Sequence, residues 1–214
     1  TLTGVQVPDG TPGTSRTATL TVGGTDNVVW VSGETSMEES SRLVVDGSGN
    51  AFNTGTLVMS GAGTGADPHD AAITVTGGGN LYVNGEAQIF ENAKVLVESG
   101  SLATFNHAAY VGGGTSAGNA VIELDGGSIV LNEKNEKAGT EGSLTVGDGG
   151  TLAITGTGTS TITQNGLSED SPGVDIVGGG RLTVDTTATL AIDMLRIASQ
   201  DNGAAGAVID GTVK

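Results

Sequence analysis

The side chains that could do chemistry are few and dispersed. Asp67-Pro68-His69-Asp70 places two carboxylates and an imidazole within four residues, a donor set able to hold a metal ion. Pro and Asp are equally the residues of an ordinary turn, and no second cluster stands at a fixed spacing from this one, so it reads as a solvated loop. His107, the other histidine, lies in Thr104-Phe105-Asn106-His107, where a position at a strand end outweighs catalysis. The glycine triplets Gly77–Gly79, Gly112–Gly114 and Gly178–Gly180 superficially suggest phosphate loops. A phosphate loop leads into a helix N-terminus; here a strand pattern follows and no Gly-Lys-Ser/Thr is present, so the triplets read as corner turns.

Asp-Gly pairs at Asp46, Asp125, Asp148 and Asp210 do not form the tandem nonapeptide of calcium-binding repeats. With 24 Asp and Glu in the chain, calcium on acidic loops remains the one cofactor to consider, because hard cations take oxygen ligands; no ligands are assigned. A glycan-cleaving lyase or hydrolase needs clustered carboxylates, often with Arg or Lys, on one face. Arg16, Arg42, Arg181 and Arg196, with Lys94, Lys134, Lys137 and Lys214, fall at different positions of the pattern described below. A carboxylate pair formed between neighbouring segments is the route to an enzyme that sequence leaves open. Thr-x-Thr runs at Thr17–Thr21 and Thr155–Thr161 resemble ice-binding ladders but occupy two places rather than every repeat, and read as outward strand residues. Asn132–Gly142 and Ser168–Pro172 are polar excursions suited to partner contact. No catalytic, cofactor-binding or metal-ligating residue is assigned.

Composition narrows the scaffold that must carry any such surface. The 214 residues include 38 Gly, 29 Thr, 22 Val and no Cys, and the formal charge is −16. Without Cys there are neither disulfides nor thiolate zinc sites. So acidic a chain is a poor match for nucleic acid, whose phosphates demand cations. No apolar stretch reaches the length of a membrane-spanning helix. Thr, Val and Gly are weak helix formers, whereas Val, Ile and Thr suit a pleated sheet. Aromatics are 3%, so the core must be thin and aliphatic.

One pattern recurs: an alternating apolar pair, a Gly-containing turn, and a second alternating pair. Ile73-Thr74-Val75-Thr76-Gly77-Gly78-Gly79-Asn80-Leu81-Tyr82-Val83 is matched position for position by Leu144–Ile154 and Val174–Val184. Shorter copies begin at Val95 and Ile122, and looser ones at Leu20 and Leu43. Fixed strands with variable loops indicate packing constraint on the strands alone. A single unit cannot bury its apolar face or satisfy its backbone, so units must stack. Ala87–Phe90, Ala109–Val111, Thr161–Thr163 and Leu190–Ile192 are candidate third strands, giving a three-sided coil. The expectation is an all-β fold, a right-handed parallel β-helix (β-solenoid) of seven or eight coils, with Leu81, Leu152 and Leu182 along one axis. Short helices are not needed anywhere, and Met37–Ser41 and Ile192–Ile197 are the two stretches that could make a turn of helix.

The units ITVTGGGNLYV, LTVGDGGTLAI and VDIVGGGRLTV resemble the passenger-domain repeats of bacterial autotransporters and related large surface adhesins, over residues 18–210. That resemblance implies a right-handed β-helix exported to the bacterial cell surface or outside the cell. The activity it implies is adhesion or self-association through a host or neighbouring-cell receptor, a glycan or a second copy, with no insertion into the membrane by this segment. Residues 1–214 are accordingly read as one β-solenoid segment of a longer surface protein. A polysaccharide lyase or glycoside hydrolase, and a phage or filament subunit, are the competing classes. Were calcium to bridge acidic surfaces, a chelator would disperse aggregates; aggregates indifferent to chelator and salt are not under electrostatic control.

Overall fold

A computed structural model describes residues 5–7, 18–38, 40–61, 71–113, 119–132, 143–165, 173–197 and 205–214, with 5–7 described in backbone only. Among the described residues every regular element is a strand. The path begins with β1 (Val5–Val7), β2 (Ala18–Val22), β3 (Val28–Met37), β4 (Ser41–Asp46) and β5 (Ala51–Ser60). Shorter strands follow: β6 (Ala71–Thr76), β7 (Asn80–Val83), β8 (Ala87–Phe90), β9 (Ala93–Glu98), β10 (Leu102–Phe105) and β11 (Ala109–Val111). Next come β12 (Ala120–Asp125), β13 (Ser128–Asn132), β14 (Leu144–Val146), β15 (Gly150–Thr155), β16 (Thr159–Asn165) and β17 (Val174–Ile176). The last are β18 (Arg181–Val184), β19 (Thr189–Ile192), β20 (Leu195–Ile197), β21 (Gly206–Ile209) and β22 (Thr212–Val213).

All named strand pairs are parallel, and neighbours in space are never neighbours in sequence. An eight-stranded sheet runs β2-β4-β6-β9-β12-β15-β18-β21. A fourteen-stranded sheet comprises two runs joined through the long strands β3 and β5. One run pairs the first halves of β3 and β5 with β7, β10, β13, β16, β19 and β22; the other pairs β1 and the second halves of β3 and β5 with β8, β11, β14, β17 and β20. The chain therefore visits three sides in turn, the first being the eight-stranded sheet and the second and third the two runs. Each return lands one strand further along. The arrangement is consistent with a parallel β-helix.

Register explains the core. On the first side Leu20, Leu43, Ile73, Val95, Ile122, Leu152, Leu182 and Ala207 are successive partners, and Val22, Val45, Val75, Val97, Leu124, Ile154, Val184 and Ile209 form a second column. On the second side Val29, Phe52, Leu81, Ala103, Ile129, Ile162 and Ile192 are aligned. On the third, Met37, Met59, Ile89, Val111, Val146, Ile176 and Ile197 are. Most of these side chains belong to one apolar cluster. Alternation within each strand sends them inward, and like stacks on like because each strand repeats its neighbour's pattern.

Leu81 does not share the axis of Leu152 and Leu182: it pairs with Phe52 and Ala103 on the second side, while those two pair with each other on the first. The matched elevenmers cross different corners. Ile73–Val83 passes from the first side to the second, whereas Leu144–Ile154 and Val174–Val184 pass from the third to the first. Both corners accept the same Gly-rich turn, so identical spacing conceals two positions in the coil. The candidate third strands divide likewise: Ala87–Phe90 and Ala109–Val111 lie on the third side, Thr161–Thr163 and Leu190–Ile192 on the second. Among the described residues neither stretch makes a turn of helix: Ile192 ends β19 and Leu195–Ile197 is β20, while Met37 ends β3 and Ser41 opens β4. Glu39 lies outside the described residues.

Two requirements select glycine at the corners. Gly77, Gly78 and Gly179 have φ of 62°, 89° and 79°, a region disfavoured for residues with a Cβ. Gly127 and Gly180 instead press against the coil beside them, where a Cβ would overlap the carbonyl oxygens of Val97 and Val146. Gly127→Ala is expected to lower stability by about 1–3 kcal/mol, as overpacking does. Gly206→Ala, where a Cβ meets nothing within 4 Å, should change it by less than about 0.5 kcal/mol. Urea denaturation of the two variants checks this.

Candidate interaction surface

Because inward positions are spent on the core, outward positions and corners are what a partner can reach. The corner between the first and second sides holds buried polar side chains that tie adjacent turns together. Asn50 Oδ1 accepts from the Asn27 amide at 2.8 Å and its Nδ2 donates to Gly24 O at 3.0 Å. Ser101 Oγ accepts from Gly78 N at 3.1 Å, and Ser160 Oγ from Gly126 N at 3.1 Å. Asn50, Gly79, Ser101, Gly127 and Ser160 immediately precede aligned residues of the second side. Glycine alternates there with a residue that satisfies a turn amide, as buried donors require.

The corner between the second and third sides carries an asparagine ladder. Asn84 Nδ2 donates to Thr54 O at 3.1 Å. Asn106 donates to Asn84 Oδ1 at 2.9 Å, Asn132 to Asn106 Oδ1 at 2.8 Å, and Asn165 to Asn132 Oδ1 at 2.7 Å. Asn84, Asn106 and Asn132 each give and accept along the stack, with Asn165 the last donor, the geometry that stacked identical side chains make possible. Sequence reading names Asn106 beside His107 and Asn132 at the start of a polar excursion, but does not reveal the four residues as a ladder. Their signal is that each directly follows the last inward residue of its strand, after Val83, Phe105, Leu131 and Gln164.

The three outward faces differ in charge. The first carries Arg42, Lys94, Glu123 and Arg181 among Thr19, Thr21 and Thr74, with Lys94 Nζ 2.6 Å from Glu123 Oε2. Along its edge, Asp46 and Thr76 are partners, as are Glu98 and Asp125, and Asp125 and Thr155. Thr76 Oγ1 donates to Glu98, and Thr155 Oγ1 to Glu123 Oε1 at 3.0 Å. The third side carries Glu34, Asp175 and Arg196. Arg196 Nε donates to Asp175 Oδ1 at 2.9 Å and a second guanidinium nitrogen bonds Oδ2. These bonds raise the Arg196 pKa above its ordinary value, against the smaller opposing effect of burial. The arrangement lets a half-exposed guanidinium cover a carboxylate whose side chain is 9% exposed.

The second side is different in kind. Val28–Val31 of β3, Ala51–Thr54 of β5, and all of β7, β10, β13, β16 and β19 contain no charged residue. Its outward rows are Val28, Ala51, Asn80, Leu102, Ser128, Thr161 and Ala191, and Trp30, Asn53, Tyr82, Thr104, Val130 and Thr163. Trp30 is 51% exposed.

Among the positions singled out by sequence, His107 follows β10 and precedes β11, outside any strand. Gly77–Gly79 and Gly178–Gly180 are corner turns between strands. Thr19 and Thr21 are exposed strand residues. Asp67–Asp70, Arg16, Thr17, Gly114, Lys134, Lys137, residues 133–142 and residues 166–172 lie outside the described residues. The cations read as falling at different positions of the pattern are in part aligned by register: Arg42, Lys94 and Arg181 share one outward row of the first side, two and three strands apart, while Arg196 lies on the third. Glu98 and Asp125 are the carboxylates that register brings side by side, on an open edge. Among the described residues no three His, Asp or Glu side chains are grouped to hold a metal ion.

Replacing Asn132 by Ala breaks two side-chain bonds at once and should cost about 1–2 kcal/mol. Asn165→Ala, which leaves the ladder below it intact, should cost less. Denaturation midpoints of the two variants test the order. Comparison with protein-family models, curated proteins and solved structures finds no match to this chain.

Proposed function

We propose that this chain is a right-handed parallel β-solenoid of seven or eight coils that works as a stalk and adhesive surface of a bacterial cell-surface or secreted protein. The observation that carries the reading is the register: outward residues of successive strands stand in rows along the stack, so weak contacts are offered at many points along a line. Repeated weak contacts on a common scaffold add through effective concentration. The right hand follows the general rule for parallel crossovers. Eight strands on the first side, spaced about 4.8 Å, give a stack of about 34 Å between its end strands. The acidic balance supports a surface role by keeping stacks soluble and apart. The partner is a receptor or glycan on a host or neighbouring cell, or a second copy of the chain.

Beads coated with the protein are expected to attach to immobilised cell-surface material, or to one another, well above albumin-coated beads. A screen of neutral and acidic polysaccharides is expected to yield no new reducing ends and no unsaturated products. Steady release of either would replace this reading with a glycan-cleaving enzyme. A discrete trimer or open polymer by light scattering, without attachment, would replace it with a filament subunit.

A further inference from the structure

We infer that the second side is the binding face, and that its ligand is a linear, uncharged polysaccharide lying along the stacking axis; the inference rests on the adhesive reading and names its ligand class. The first observation is charge. In a chain of net charge −16, the strands of this side carry none, while the first and third sides hold Arg42, Lys94, Glu123, Arg181, Glu34, Asp175 and Arg196. A face without charge offers no Coulombic attraction to a polyanion or polycation and demands no desolvation of ions when a neutral polymer settles on it.

The second observation is the outward row itself. Trp30, Asn53 and Tyr82 are consecutive partners, followed by Thr104. Indole and phenol rings offer flat apolar area with a polar tip, which suits the C–H faces of pyranose rings. Asn80, Ser128 and Thr161, half-buried on this face, supply an amide and hydroxyls for sugar hydroxyls, whereas Asn53 and Thr104 are only 8% and 6% exposed.

The third observation is spacing. Trp30 and Tyr82 stand two strands apart, about 9.6 Å along the axis, near the span of two sugar units in an extended chain. A ligand that itself repeats along a line meets the same rows repeatedly, whereas a compact partner would use only part of them.

Trp30 is the single tryptophan, so its emission reports on this face alone. Cellohexaose, maltohexaose and xylohexaose are titrated as neutral probes, and hexagalacturonate as the acidic one. The expected result is a saturable blue shift with at least one neutral hexasaccharide, with a midpoint unchanged between low and high salt. Tyr82→Ala should weaken that binding about tenfold, the size of one lost ring contact. Tyr110→Ala, on the outward row of the third side, should leave it unchanged, and circular dichroism confirms that both variants fold. No response to any neutral probe overturns the inference, as does a response to hexagalacturonate alone or an equal loss in Tyr110→Ala. A blue shift that grows with protein concentration without sugar also overturns it, because a second copy then covers the face. The bead assay separates the two readings: attachment without a sugar response removes the polysaccharide and leaves the adhesive role, while a sugar response without attachment leaves the binding face and removes that role.

Discussion

The structure depends on one constraint: each strand must hydrogen-bond to the strand one coil away in a register that keeps apolar residues aligned, and the one irregularity among the named pairs, between Val31 and Glu34 of β3, falls where that strand passes from the second side to the third. Parallel strands leave their amides and carbonyls pointing sideways, and a lone coil has nothing to meet them. Stacking meets that need for every strand except those at the ends. Because side chains alternate with a period of two, a slip of one residue would turn the apolar columns outward. The Leu, Ile and Val columns are thus both product and guardian of the register. The corners obey the same rule by other means, with glycines where backbones crowd and Asn or Ser where a turn amide needs an acceptor.

Much of this was legible in the residues. Alternating aliphatic pairs, Gly-rich turns and variable loops identify parallel strands in stacked coils, and the third strand of the coil is visible at Ala87–Phe90 and Ala109–Val111. What could not be read was which side a strand belongs to. Leu81 and Leu152 occupy the same place in matching elevenmers yet fall in different columns, because two corners of the coil share one turn chemistry. With the side misassigned, the step from Ile122 to Leu144 looks like a coil, when the true partner of Ile122 is Leu152.

The candidate surface was hidden for the same reason. Trp30, Asn53 and Tyr82 are separated by more than twenty residues at each step, and only register shows them as one row. The missing charge on the second side is likewise a property of strands drawn from eight places in the chain. Chemistry-bearing residues that drew notice in sequence, such as His107 and the Asp-Gly pairs, stand at turns and strand ends, where they are ordinary. The residues that differ from their surroundings do so by what they lack.

The strictly local bonding of the coils makes the molecule a set of interchangeable bricks. Residues 95–121 run from one first-side column position to the residue before the next, since Val95 and Ile122 are partners. Excising them would lower Ile122 onto Ile73 and bring Ser128 onto Asn80, preserving the first-side apolar alignment and the uncharged second side. Such a chain can be shortened or lengthened by whole courses of about 4.8 Å without redesign of what remains, and its reach is therefore a quantity that duplication and deletion can tune independently of what it grips.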